Sequence, residues 1–150
     1  MSMETITSAV QEIELLRFLI NRKEYAIDVK KVREILKIDR ISSVPDSKEE
    51  ISGIALVRGS VVTVVDLKYV LEKRHIDGNT EGMTLLCELK GMKIAFQVDE
   101  VLGIHRVKET EVIPPDSILN TDLVAGNINF ENTIVMLLDI EKIASDCIAC

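Results

Sequence analysis

Short apolar runs separated by polar turns make up most of this chain. Leu15-Leu16-Arg17-Phe18-Leu19-Ile20 reads as a strand, Asn21-Arg22-Lys23 as a tight polar connection, and Glu24-Tyr25-Ala26-Ile27 as a second strand. From Asp28 the spacing changes. Val29, Val32 and Ile35/Leu36 recur at the helical period, with Lys30, Lys31 and Arg33 on the other side, so a short helix capped by Asp28 is predicted. Lys37 to Ile41 is expected to be extended, and Pro45 with Asp46-Ser47-Lys48 marks a loop. Ile54–Val57 and Val61–Val65 flank Arg58-Gly59, a hairpin signal because glycine admits positive φ. Asp66 then opens a helix bearing Leu67, Val70 and Leu71, and a polar linker runs from His75 to Gly82.

The second half repeats the first. Tyr25-Ala26-Ile27-Asp28-Val29 matches Ile94-Ala95-Phe96-Gln97-Val98 at an offset of 69 residues. Gly53 and Val61-Val62-Thr63-Val64-Val65-Asp66-Leu67 match Gly126 and Ile134-Val135-Met136-Leu137-Leu138-Asp139-Ile140 at an offset of 73. Two related units, 12–75 and 82–145, therefore suggest a pair of small five-stranded barrels on one plan. Residues 1–11 are expected to be a flexible N-terminus and 146–150 a tail. Units so small bury little core alone, so they should pack on each other and leave a groove between them.

Composition supports a sheet-rich globular chain. Ile and Val together number 35, against 15 Leu and 7 Ala, which favours strands over helices. At 150 residues, 47% hydrophobic and 29% charged, the chain can bury a core without disulfide or metal staples. The net charge of −7 is uneven: residues 1–75 carry 13 basic and 12 acidic side chains (+1), residues 76–150 carry 5 and 13 (−8). An acidic chain with five aromatics and no Trp lacks the basic, stacking surface that nucleic acid needs. No basic N-terminal flank precedes a long apolar run, and no uncharged apolar stretch approaches the ~18–20 residues that span a membrane, so a cytoplasmic protein without membrane insertion is expected.

Reaction chemistry finds little support. Asp66 and Asp139 stand at matching positions where a strand turns into a helix. A paired-carboxylate site is conceivable, but repetition in both units reads more simply as two N-caps. His75 and His105 have no spaced second ligand, and no GxSxG, Walker loop or GxGxxG occurs. Cys87 lies in an apolar run and reads as a buried inert thiol. Cys147-Ile148-Ala149-Cys150 is formally CxxC but reads as a frayed, reduced end. No enzyme activity, metal or cofactor is expected. Arg58-Gly59 corresponds to Glu131-Asn132, so the turn is shared and only the charge differs. Arg58 is thus not needed to build the turn and is available to a partner.

Three stretches resemble the CheW family of chemotaxis coupling proteins. Lys23-Glu24-Tyr25-Ala26-Ile27-Asp28-Val29-Lys30-Lys31-Val32-Arg33-Glu34-Ile35 is similar to its opening xEYAIDIxxVxEI. Gly53-Ile54-Ala55-Leu56-Val57-Arg58-Gly59, running on to Val64-Val65-Asp66-Leu67-Lys68, is similar to GxxNLRGxxxPVIDLR. Gln97-Val98-Asp99-Glu100-Val101-Leu102-Gly103-Ile104 resembles VDxVxxV. The likeness spans residues 12–145. Leu56-Val57 stands where the family has Asn-Leu, and Thr63 where it has Pro.

The resemblance implies two intertwined SH3-like five-stranded barrels with short helices, no enzymatic activity, and an adaptor role. The partners it implies are the C-terminal regulatory domain of the histidine kinase CheA and the cytoplasmic tips of methyl-accepting chemotaxis receptors, in arrays to which a cytoplasmic protein is recruited. At 150 residues, neither the receiver domain of a CheV-type protein nor the kinase domain of CheA is expected. Leu56, Val57, Arg58, Gly59 and Glu34 are expected at the kinase, with Glu34 and Arg58 paired. Val29, Val32, Ile35, Gly53, Val101 and Leu102 are expected at a receptor helix lying in the groove. The alternatives are a β-barrel ligand-binding module, or an adaptor of a non-flagellar chemosensory pathway.

Overall fold

The structure, a computed structural model, describes residues 11–73, 82–115 and 122–148. In chain order the elements are β1 (Glu12–Ile20), β2 (Lys23–Asp28), β3 (Val32–Leu36), β4 (Ile51–Val57), β5 (Ser60–Asp66), α1 (Leu67–Glu72), β6 (Met83–Leu89), β7 (Met92–Val98), β8 (Glu100–Lys108), β9 (Val124–Phe130), β10 (Thr133–Leu138) and α2 (Ile140–Ile148). Single 3-10 turns at Val29–Lys31 and Glu109–Glu111 complete the plan. His75 and Cys150 lie outside the described residues.

Two five-stranded sheets result, in the orders β8-β1-β2-β10-β9 and β3-β6-β7-β5-β4. The internal repeat is real, but neither sheet is built from one repeat. The first sheet takes β1 and β2 from the first half and β8, β9 and β10 from the second; the other sheet makes the reciprocal choice. The halves are joined by the parallel pairs β2 with β10 and β5 with β7 and by the antiparallel pairs β1 with β8 and β3 with β6. Each sheet rolls around a small core of its own. Leu15, Ala26, Val107, Ile128 and Val135 fill the first, one residue from each strand. Its two edge strands approach closely, since the rings of His105 on β8 and Phe130 on β9 lie 4.6 Å apart. Ala55, Val57, Val62, Val64, Leu86 and Ala95 fill the second.

The largest core lies between the sheets. Leu16, Phe18 and Ile20 of β1 meet Leu85, Cys87 and Leu89 of β6 there, and α1 and α2 cover its ends through Leu67 and Ile143. Both helices begin as expected: Asp66 accepts from the Tyr69 backbone N–H and Asp139 from that of Lys142, each at 3.1 Å. Each carboxylate serves its own helix. Asp66→Ala is therefore expected to cost about 1 kcal/mol by urea unfolding and Asp66→Asn far less; equal losses would contradict the cap.

Two expectations need correction. The helix predicted after Asp28 is a single 3-10 turn, with Asp28 accepting from Lys30 N–H at 2.9 Å, followed by strand β3. β3 pairs Val32 with Cys87 and Glu34 with Leu86, so Arg33 is an extra residue, a β-bulge. The bulge returns Val32 and Ile35 to one face of the strand at a spacing of three, which imitates a helical stripe. Cys147, expected in a frayed end, stands instead in helix α2, while Ala149 and Cys150 lie outside the described residues. α2 runs to Ile148 and buries Cys147 in the shared core, where burial pushes its thiol up to about 11. Cys87 is buried as expected, its thiol pushed up to about 12 by the same cause.

Candidate functional site

Two surfaces collect the candidate residues. The first is the β4–β5 hairpin. Arg58 and Gly59 both have positive φ, 49° and 81°, as a type I′ turn requires, and Glu131 and Asn132 repeat the turn at 50° and 66°. The turn projects the Arg58 side chain into solvent. It does not float there: Nε donates to Glu34 Oε1 at 2.9 Å, and Nη2 donates to Oε2, a two-pronged ion pair between the hairpin tip and β3. The hydrogen bond from Arg58 holds the Glu34 carboxyl below its ordinary range. Acidification would remove the pair only as pH falls through that lowered value.

Alternation along the hairpin sorts its other residues. Val57 points inward and is buried in the core of the second sheet, so its expected kinase contact is corrected to packing. Leu56 points outward and is 72% exposed; Val61, its cross-strand partner, is 67% exposed. Ile54 belongs to the same face. Hollows of about 380 and 270 Å³ flank Leu56, and Arg40 lines both. Ile54, Val61 and Arg40 were not among the expected contacts. Strict alternation outward from Leu56 identifies the first two.

Gly53 also moves. It is buried, with φ of 149°, and a Cβ there would stand 2.1 Å from the Ser42 carbonyl oxygen. Ser42 and Ile54 exchange backbone hydrogen bonds of 2.8 Å directly above it. Gly53 is therefore the close-approach point that seals the edge of β4, rather than a wall of the groove.

The second surface is that groove. Leu16, Val29, Val32, Arg33, Glu34, Ile35 and Ile104 line a hollow of about 240 Å³ where β3, an edge of one sheet, comes near β8, an edge of the other. β8 carries a bulge matching that of β3: Arg17 pairs with Gly103 and Phe18 with Val101, leaving Leu102 extra. Arg33 and Leu102 correspond at the offset of 69, as do Val32 with Val101 and Ile35 with Ile104. Leu102, expected as a wall, is the bulge residue. Ile104, 55% exposed and unforeseen, takes the wall position; extending the offset of 69 three residues past Val32 and Val101 leads to it from Ile35. Val29, Val32 and Val101 are partly buried and pack against the shared core, with Ile35 exposed beside them.

Nothing in this arrangement resembles a reaction centre. Among the described residues, no group of three or more His, Cys, Asp or Glu is placed to hold a metal ion, and no helix is long and apolar enough to cross a membrane. What the two surfaces can do is bind: one offers apolar side chains beside a fixed guanidinium, the other a slot between strands.

Residues 14–147 match the family model described as the CheW-like domain. The chain is 26% identical over 148 residues to the chemotaxis protein CheW of Thermotoga maritima, covering 96% of this chain and 95% of that one. It is 27% identical over 129 residues to the CheW of Bacillus subtilis, covering 84% and 83%. In three dimensions it is similar to the scaffolding protein TtCheW from Thermoanaerobacter tengcongensis, with a TM-score of 0.78 and 23% identity over 87% of this chain and 86% of that one.

Proposed function

This chain belongs to the CheW-like domain family, and from that premise we propose that it is a non-enzymatic scaffold of a chemotaxis signalling assembly, coupling methyl-accepting receptors to the histidine kinase CheA. The observation that carries this reading is the sharing of β3 by two docking surfaces. Val32 and Ile35 line the groove, while Glu34 between them holds Arg58 at the hairpin tip. A receptor tip, as a helical hairpin, would lay an apolar face in the groove against Val29, Val32, Ile35, Val101 and Ile104. The kinase regulatory domain would take the hairpin face of Leu56, Arg58 and Gly59, with Glu34 orienting Arg58.

A scaffold of this kind needs only modest contacts. Linked sites raise one another's effective concentration, so an array is held by single-site affinities near ~1 μM, about 8 kcal/mol. The protein would work in the cytoplasm, drawn to membrane arrays by its partners.

The test is a calorimetric titration with the regulatory domain of CheA and, separately, with a receptor-tip fragment. Arg58→Glu sets a carboxylate against Glu34 and should weaken kinase binding about tenfold or more while leaving the receptor fragment unaffected. Kinase binding that survives the reversal would take Arg58 off that interface. Absence of binding to both partners at ~100 μM, about 5.5 kcal/mol, would overturn the function.

A further inference from the structure

The repeat supplies an internal control for the hairpin face. Ile54, Leu56 and Arg58 on the first hairpin correspond, at the offset of 73, to Asn127, Asn129 and Glu131 on the second. Both sets sit on matched strands with matched turns, and both hairpins are sealed by a matched bridge, Ser42 to Ile54 and Ile113 to Asn127. Two residues before each bridge stand Arg40 and Glu111. The fold therefore tolerates asparagine at the position of Leu56. It also accepts either charge at the rim.

An outward leucine on such a strand is not required for folding. Asparagine is also the residue that the family signature carries there. Leu56 nevertheless joins Val61 and Ile54 in a continuous apolar strip between two hollows, with Arg40 on both, Lys37 and Asp39 on one, and the Arg58–Glu34 pair at the hairpin tip. Isolated apolar residues on a surface need no explanation, but a strip flanked by basic residues has the make-up of an interface centre with a charged rim.

We propose that Leu56 is a specificity-determining residue that selects a kinase regulatory domain whose docking face offers an apolar socket rimmed by carboxylates. This rests on the reading of the hairpin as the kinase face. The rim narrows the occupant: Lys37, Arg40 and Arg58 outnumber Asp39 and the Glu34 that pairs with Arg58, which favours acidic groups opposite, and a buried leucine penalises a polar socket by leaving its donors and acceptors unpaired. A regulatory domain suited to the common asparagine would therefore be rejected.

The experiment titrates the full chain, wild type, Leu56→Asn and Arg58→Glu, with the regulatory domain of the CheA from the same cell and with one from a pathway whose adaptor carries the usual asparagine. Asn129 shows that the backbone accepts the substitution, and a urea midpoint confirms folding. Expected is a loss of about tenfold or more for the native partner on Leu56→Asn, with the preference over the foreign domain narrowed or reversed. Native affinity within about twofold of wild type, with Arg58→Glu still weakening binding, would overturn the specificity role and leave the kinase face standing. If neither substitution weakens binding, the kinase face falls and this inference with it. Self-association by sedimentation that Leu56→Asn abolishes, with kinase affinity unchanged, would overturn it in favour of a second copy as the occupant.

Discussion

Gly53→Ala is expected to lower the free energy of unfolding by about 3 kcal/mol or more, measured as a fall in urea midpoint at unchanged slope. The cause is a backbone collision. The added methyl would stand 2.1 Å from the Ser42 carbonyl oxygen, 2.7 Å from its carbon and 2.9 Å from Ile41 Cγ2, at a φ of +149° that side chains avoid. Relief requires lifting residues 41–42 off β4, which breaks both 2.8 Å hydrogen bonds between Ser42 and Ile54. Gly126 occupies the matching place on β9 and serves as the control. Its added Cβ would meet Val112 Cγ1 at 2.5 Å and the Ile113 carbonyl oxygen at 3.0 Å, so the worst neighbour there is a side chain rather than a backbone carbonyl at 2.1 Å, and the backbone lacks the positive φ of Gly53. Gly126→Ala should therefore cost clearly less than Gly53→Ala. Equal costs would mean that the close approach at Ser42 is not what selects glycine at 53.

Ile35→Asp combined with Ile104→Asp is expected to weaken receptor-tip binding by about thirtyfold or more, with kinase binding held near wild type. Both side chains are substantially exposed, so carboxylates there meet water in the free protein and the fold is largely spared. Once an apolar helix face fills the slot those carboxylates lose water, and the guanidinium that lines the hollow, Arg33, is already paired with Glu88, so the desolvation cost falls on the complex alone. The two positions correspond in the repeat and flank one hollow, so each single change should produce a fraction of the loss. Fluorescence anisotropy of a labelled receptor-tip fragment reads this directly. Undiminished affinity of the double variant would remove the groove as the receptor surface.

Local chemistry explains why much of this was legible beforehand. Arg58-Gly59 and Glu131-Asn132 announce their turns because few residue pairs accept two positive φ values in succession. Asp66 and Asp139 announce their helices because a short acceptor there reaches a backbone N–H two or three residues on. The pairing of Glu34 with Arg58 was legible only through the resemblance, since the two are 24 residues apart and no periodicity connects them. The misreadings share a cause in local irregularity. Arg33 and Leu102 are bulges, and one extra residue shifts every later side chain to the other face. That made β3 look helical and made Leu102, instead of Ile104, look like a wall. Val57 and Gly53 belong to the motif that marks the docking hairpin, yet one packs its core and the other admits a crossing strand.

By itself the sequence determined the strand pairs on either side of each turn, the turns between them, the caps of both helices, the duplication and the hairpin charge, but not strand β3. Each of these is settled by neighbours within a few residues, through backbone conformation, hydrogen-bond reach and side-chain alternation. Only the tertiary structure decided which strands share a sheet, because the reciprocal exchange of β1 and β2 against β6 and β7 leaves every local pattern unchanged. That exchange brings β3 and β8 to facing edges, and so creates the groove. It was chosen by what it buries, the Leu16, Phe18 and Phe96 core between the sheets, a gain that depends on residues about 70 positions apart and has no signature in any short window of the chain.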